Sequence, residues 1–267
     1  MRTITQSRTE TFSLPYQGTE VRISADVRRA GPDVVILLHG LGCTKKSFED
    51  VALVSALADF TTCAFDFPGH GSSPALGHES HSLQTYADIT NLVVRHLSPA
   101  RLFVVGHSMG GAAGLIATQE MAEVTGFISV EGNLVAEDCG LVSRNTTETP
   151  IVEFVRHGFD SFLTGLRTSP EKDLRHWAQW YASCAPEAVH DTARSLVEWS
   201  DSGKLLELFT SLRSRAFVYG ERDDRFGHLL PLLTTDDTFA ISDSGHFPMI
   251  DNPSALYATL SDIILDH

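Results

Sequence analysis

Residues 101–114 read Arg-Leu-Phe-Val-Val-Gly-His-Ser-Met-Gly-Gly-Ala-Ala-Gly. The stretch from Arg101 to Val105 is almost continuously apolar, which predicts a strand covered on both faces. A run of small residues opens a helix behind it, and between the two stands a G-x-S-x-G turn, Gly106-His107-Ser108-Met109-Gly110. A bare match to that pattern is weak. A match on a strand-to-helix turn is specific, because a serine exposed there needs a backbone angle that glycines on either side make sterically possible. The helix start behind Ser108 offers free N–H groups and a positive partial charge to a developing oxyanion.

Working outward, similar apolar runs recur at Asp33–His39, Thr61–Phe67, Gly126–Val130, Arg215–Tyr219 and Thr238–Ile241. Helical stretches are expected at Ser47–Ala58, Leu83–Leu97, Met109–Ala122 and Pro253–Leu265. Strand-helix alternation predicts an α/β fold, a doubly wound, mostly parallel sheet with ligands at the carboxyl ends of its strands. Two alternating runs, Thr11–Tyr16 and Val21–Val27 around Gln17-Gly18, add an antiparallel hairpin at one edge and bring the sheet to eight strands. Roughly 80 residues without strand signal separate Val130 from Arg215, far more than the dozen or so a crossover needs. They read as amphipathic helices at Thr149–Leu166, Glu171–Cys184, Pro186–Ser202 and Lys204–Leu212. The expected organisation is a core of residues 1–133 and 213–267 with a helical cap, 134–212, inserted after the sixth strand. All three tryptophans, Trp177, Trp180 and Trp199, fall in the insertion. Trp177, Trp180 and Tyr181 share one helical face. That face either glues the insertion to the sheet or lines an apolar pocket beneath it.

Composition narrows the function classes. The chain of 267 residues carries 20 Lys and Arg against 34 Asp and Glu, a formal charge of −14. Nucleic acid and anionic membrane surfaces reward the opposite sign. No apolar run is long enough to span a bilayer, and the first ten residues lack the apolar segment of a signal peptide. A cytoplasmic protein with four free thiols (Cys43, Cys63, Cys139, Cys184) is the expectation. Gly77-His78-Glu79-Ser80-His81 resembles a metal loop, but no third ligand stands at helix spacing, so no metal is expected.

A serine hydroxyl needs a base. His246, in Ser244-Gly245-His246-Phe247-Pro248 after the last strand, falls at the sheet edge where Ser108 must also lie. His39-Gly40-Leu41-Gly42 follows the first central strand, where the Leu41 N–H can join that of Met109 to hold an oxyanion. Two acids can orient His246: Asp223, in Gly220-Glu221-Arg222-Asp223, and Glu131, in Ser129-Val130-Glu131-Gly132. Gly40, Cys43 and Phe247, with Trp177, Trp180 and Tyr181, are candidates for the pocket wall.

Taken together, His39–Gly42, Asp66-Phe67-Pro68-Gly69-His70-Gly71-Ser72-Ser73, Gly106–Gly110 and Gly245-His246 resemble, in this order, the α/β-hydrolase superfamily across essentially the whole chain. The resemblance implies a cofactor-free Ser–His–acid enzyme with a backbone oxyanion hole, and a structural role for the Asp66–Ser73 loop. Its commoner acid position matches Asp223, to which the choice leans. The proline often found about four residues further on is here Gly227. The position used by haloalkane dehalogenase-like and lactonase-like branches matches Glu131. Dehalogenation itself needs an aspartate where this chain has Ser108. The expected activity is hydrolysis of a carboxylic ester or lactone of a small to medium, partly apolar molecule through an acyl-enzyme on Ser108. C–C bond hydrolysis, amide hydrolysis, acyl transfer and non-catalytic binding of a small molecule are the alternatives. The oligomeric state stays open, a homodimer among the options.

Overall fold

The computed structural model describes residues 6–77, 80–121, 124–139 and 142–267. Its centre is one eight-stranded sheet: β1 (Arg8–Tyr16), β2 (Thr19–Arg28), β3 (Val34–Leu38), β4 (Thr61–Phe65), β5 (Leu102–His107), β6 (Gly126–Val130), β7 (Arg215–Gly220) and β8 (Thr238–Ile241). The strands lie in the order β1-β2-β4-β3-β5-β6-β7-β8. The β1–β2 hairpin and the β2–β4 pair are antiparallel; every pair from β4 to β8 is parallel. Gln17 and Gly18, both at positive φ, make the two-residue turn that matches the strand twist of a hairpin.

All residues of β3, β4, β5 and β6 are buried, as suits mostly apolar strands covered on both faces, and the burial extends to Thr61, Thr62, His107 and Ser129. Each buried Val, Leu, Ile or Phe there contributes roughly 1.5–3 kcal/mol relative to exposure. Helices α1 (Leu83–Leu97) and α2 (Met109–Thr118) follow β4 and β5. Ser82 caps α1 by accepting the Thr85 N–H, and Arg95 and His96 stand in its last turn, where cations suit the helix dipole.

Between β6 and β7 the described chain is helical: α3 (Ser143–Glu148), α4 (Ile151–Glu153), a π-helical turn at Phe154–Gly158, α5 (Phe159–Thr168), α6 (Lys172–Tyr181), α7 (Pro186–Asp201) and α8 (Lys204–Ser211). Helices α9 (Pro248–Asp251) and α10 (Pro253–Leu265) close the chain. The single helix expected over 149–166 begins only after Pro150 and carries the π turn. The expected end of α2 at Ala122 falls outside the described residues. Helix α3 was not expected, because its six residues, Ser-Arg-Asn-Thr-Thr-Glu, carry no apolar period.

One expected helix is absent. Residues 47–58 form two 3-10 segments, Lys45–Leu53 and Ser55–Leu57, with a non-helical Phe48 inside the first. The reason is Arg28, fully buried at the end of β2. Its guanidinium donates to the carbonyls of Ala52 at 3.0 Å, Leu57, and Phe60 at 3.1 Å. The carbonyls of Ala52 and Phe60 thus find a side-chain donor, while that of Leu57 accepts both Arg28 and the Phe60 N–H at 3.0 Å. The Asp66–Ser73 loop is structural, as expected: Asp66 pairs with the buried Lys45 Nζ at 2.6 Å and accepts from Lys45 N and Ser72 N.

Candidate active site

Ser108 sits between β5 and α2 with φ 51° and ψ −123°. A non-glycine residue held there stores of order 1–3 kcal/mol of strain, which its surroundings must enforce. Ser108 N donates to Val130 O at 2.9 Å, and Gly111 N donates to Ser108 O at 2.9 Å. The turn also needs close backbone approach. A Cβ on Gly106 would lie 2.6 Å from Gly110 O, and one on Gly110 would lie 2.6 Å from His39 O. Met109 is the first residue of α2, so its N–H has no carbonyl of a preceding helical turn to bond. The Gly40–Leu41 loop presses on the same spot, since a Cβ on Gly40 would stand 3.2 Å from Ser108 Cβ.

His246 lies in the loop between β8 and α9. Its Nδ1 is 3.1 Å from Glu131 Oε2. Glu131 follows β6 at φ 52° with its carboxylate fully buried, and its Oε1 accepts the N–H of Gly220 at the end of β7. Asp223 is also near: oxygens of Glu131 and Asp223 and a ring nitrogen of His246 all fall within 4.8 Å of one another. Asp223 is nevertheless engaged elsewhere. Arg225 Nε lies 2.7 and 3.0 Å from its two oxygens, and Arg225 Nη2 completes the fork. The same Nη2 stands 2.9 Å from His246 Nδ1 and 3.6 Å from Glu131 Oε2. An arginine only donates, so Nδ1 either accepts from Arg225 or carries its proton toward Glu131; it cannot do both. The contact that the commoner acid position led us to expect at Asp223 is made by Glu131.

His107 fixes the other side. Its Nε2 is 2.9 Å from the His246 carbonyl oxygen, which can only accept, so the His107 proton sits on Nε2. Burial pulls His107 down to about 4 and keeps it neutral. Burial likewise holds His246 well below its ordinary value, helped by His107 and the Arg225 cation. Burial drives Glu131 well above the usual carboxylate range, and the Asp223 charge adds to this. Burial also pushes Asp223 up, but its bonds to Arg225 leave it below its ordinary value. Glu131, Asp223 and His246 could in principle hold a cation, but Arg225 already supplies a positive charge among them. Of the suspected metal loop, His78 and Glu79 lie outside the described residues, and His81 bonds Tyr86 Oη at 3.3 Å.

Ser108, His246 and Asp223 open onto one cavity of about 370 Å³, together with Gly40, Leu41, Cys43, Trp177 and Phe247. Trp180 and Tyr181 do not line it. Tyr181 stacks on Phe159 at 4.5 Å and covers Gly42, where a Cβ would lie 2.5 Å from its ring; Trp180 packs on Phe247 at 6.4 Å. One face of α6 therefore divides its work: Trp180 and Tyr181 bind the helices to the sheet. Trp177 does both, lining the cavity and donating Nε1–H to Gly42 O at 3.0 Å. A second cavity of about 330 Å³ lies behind Glu131 and His246, lined also by Asn133, Asp138, Arg225 and His228.

His107 and Arg225 were not singled out from sequence. His107 stood in plain view inside the G-x-S-x-G motif, and Arg225 follows Asp223 by two residues. Neither spacing distinguishes a partner of His246 from an ordinary surface charge.

A family model described as "Alpha/beta hydrolase family" matches residues 35–260. The chain belongs to the alpha/beta hydrolase family. Curated relatives of this hydrolase include the 2-succinyl-6-hydroxy-2,4-cyclohexadiene-1-carboxylate synthase of Escherichia coli, 24% identical over 86% of this chain and 93% of its own. Among solved structures, the α/β-hydrolase fold recurs in a mutant of the N-acyl homoserine lactonase AidH in complex with N-hexanoyl homoserine, at TM-score 0.75, 18% identity and coverage of 98% and 97%. It recurs too in an esterase from Thermogutta terrifontis, at TM-score 0.76 and 17% identity over 97% of this chain and 98% of that one. An epoxide hydrolase from Vigna radiata matches at TM-score 0.76 and 14% identity over 98% and 99%. No helix among the described residues is long and apolar enough to cross a membrane.

Proposed function

We propose that this α/β hydrolase is a cofactor-independent serine hydrolase of small to medium, partly apolar carboxylic esters or lactones. Residues 134–212 act as a cap over a core of residues 1–133 and 213–267. The observation that carries the reading is a strained Ser108 opening onto the same cavity as His246, whose far nitrogen meets the buried Glu131 carboxylate at 3.1 Å. Glu131 holds the Nδ1 proton, so Nε2 is left free as a base. His246 takes the Ser108 proton as Oγ attacks the carbonyl. The Leu41 and Met109 N–H groups hold the oxyanion, and His246 returns the proton to the leaving alkoxide. Water then enters, gives a proton to His246 as its oxygen bonds the acyl carbon, and His246 returns that proton to Ser108 Oγ as the acid leaves.

The cavity volume suits a short acyl chain or a small lactone ring, with Leu174, Trp177 and Phe247 as apolar wall. The lactonase and esterase neighbours support that class. The curated relatives bring a second reading, a reaction on a carboxylate-bearing molecule. The two arginines of the cavity count against it: Arg222 is paired with Asp251 at 3.0 Å and Arg225 with Asp223, while Asp138, Asp173 and Asp224 add negative charge. A neutral substrate fits this balance better.

The test is steady-state hydrolysis of p-nitrophenyl esters from acetate to octanoate and of simple lactones, beside Ser108→Ala. Turnover favouring short chains and lost in the variant supports the reading. Equal turnover in both proteins, or none with any ester or lactone, contradicts it.

A further inference from the structure

Two carboxylates lie within reach of one imidazole, and only one touches it. Asp223, at the commoner acid position, is held by the Arg225 fork, Nε at 2.7 and 3.0 Å from its two oxygens. Arg225 Nη2 stands 2.9 Å from His246 Nδ1, between that nitrogen and the Asp223 carboxylate it holds. The charge balance points the same way. Arg225 offsets the charge of one of the two acids, so the site carries at most one net negative charge beside the imidazole, the balance of a simple acid–histidine pair. His107 also faces His246, on its backbone carbonyl; Asp138, Asp173, Arg222 and Asp224 stand across the first cavity, Glu137 and His228 across the second, and Asp251 ties down the Gly245 N–H next to it.

We propose that Arg225 is a positioning residue that withdraws Asp223 from the relay and so leaves Glu131 as the acid that orients His246. Freed of Arg225, Asp223 lies close enough, within the 4.8 Å cluster, to turn onto Nδ1. The proposal rests on the serine hydrolase reading above and adds to it the origin of its unusual acid.

Two readouts test it. The first needs no turnover: 15N NMR titration of the histidines in the intact 267-residue chain, with His246→Gln assigning the signal. Arg225→Met removes a cation and exposes a second carboxylate, so the His246 pKa should rise by about one unit or more. Arg225→Lys keeps the charge without the fork and should shift it less. The second is a cycle in kcat/KM on p-nitrophenyl butyrate. Glu131→Ala should cost about 100-fold or more in the wild-type background and at least about tenfold less beside Arg225→Met. Adding Asp223→Ala should abolish that rescue. An unmoved His246 pKa, or an equal Glu131→Ala penalty in both backgrounds, would reduce Arg225 to a structural role and overturn the proposal. Turnover that survives Ser108→Ala would instead overturn the hydrolase reading, and the titration would still decide Arg225 by itself.

Discussion

Glu131→Gln is the most informative single substitution. It keeps the size of the side chain and its acceptor for Gly220 N, so the amide oxygen takes over the role of Oε1. The amide NH2 then points at His246 Nδ1, 3.1 Å away in the wild type. Nδ1 must accept, the imidazole proton moves to Nε2, and the base that Ser108 needs is blocked. The same tautomer error in a serine protease triad lowers kcat about 10⁴-fold, so a loss of roughly 10³- to 10⁴-fold is expected here, or about 4–5.5 kcal/mol of transition-state stabilisation. Stability should move the other way. Burial raises the Glu131 pKa in the folded state, so an ionised carboxylate there destabilises the fold at neutral pH and a neutral amide relieves that cost. The assay is kcat/KM on p-nitrophenyl butyrate against the Ser108→Ala floor, with melting curves at pH 7. Asp223→Asn should lose only about tenfold, through the unpaired Arg225 cation beside His246. If Glu131→Gln keeps a tenth or more of wild-type kcat/KM while Asp223→Asn falls to the floor, the assignment of the acid is refuted.

Other consequences follow from the burial of charge and polarity. The acidic limb of the kcat/KM profile should be centred below 6.5, because burial, His107 and Arg225 all favour neutral His246 and the base stays available as pH falls; a limb centred at or above pH 7 contradicts this. Buried His39 and His70, each drawn down to about 3, and His107, drawn down to about 4, take up protons near 6.5 once unfolded. The unfolded state then binds more protons, so their contribution is fully present above pH 6.5 and is lost as pH falls toward 4 for His107 and toward 3 for His39 and His70. The slope should approach about 4 kcal/mol per pH unit from these three groups, read by urea unfolding; a flat response between pH 6 and 4.5 would be inconsistent. Arg28→Met strands the carbonyls of Ala52 and Phe60 and takes one of two donors from that of Leu57, and should destabilise by about 2 kcal/mol or more, measured as a lower urea midpoint. Trp177→Phe removes the bond to Gly42 O and should raise KM more than it changes kcat; an unchanged KM would show that this contact does not shape the cavity.

Much of the fold was legible because its signals are local. The β6 and β8 bounds and those of α1 and α10 are the same in sequence and structure, since short, mostly apolar runs mark the strands and Ser82 and Asn252 cap the helices. The elbow was legible for a similar reason: the glycines around Ser108 have one steric explanation. The 3-10 region after β3 was not, because its form depends on Arg28, which arrives from another strand and satisfies carbonyls no local pattern reports. Choosing between Glu131 and Asp223 was beyond the sequence for the same physical reason. Both acids follow strands at the same sheet edge, and what separates them is where Arg225 points. Periodicity put Trp177, Trp180 and Tyr181 on one face of α6, but a face that meets both a cavity and a packed interface divides by a few ångströms.

The central claim is that Ser108 attacks a carbonyl and carries the acyl group. The most direct measurement is intact-mass spectrometry of the protein quenched within milliseconds of mixing with p-nitrophenyl butyrate, followed by peptide mapping. One butyryl group on the peptide containing Ser108, formed in the wild type and absent from Ser108→Ala, is the predicted result. Ser108-independent acylation, or steady product release from the wild type with no covalent species at any quench time, would contradict it.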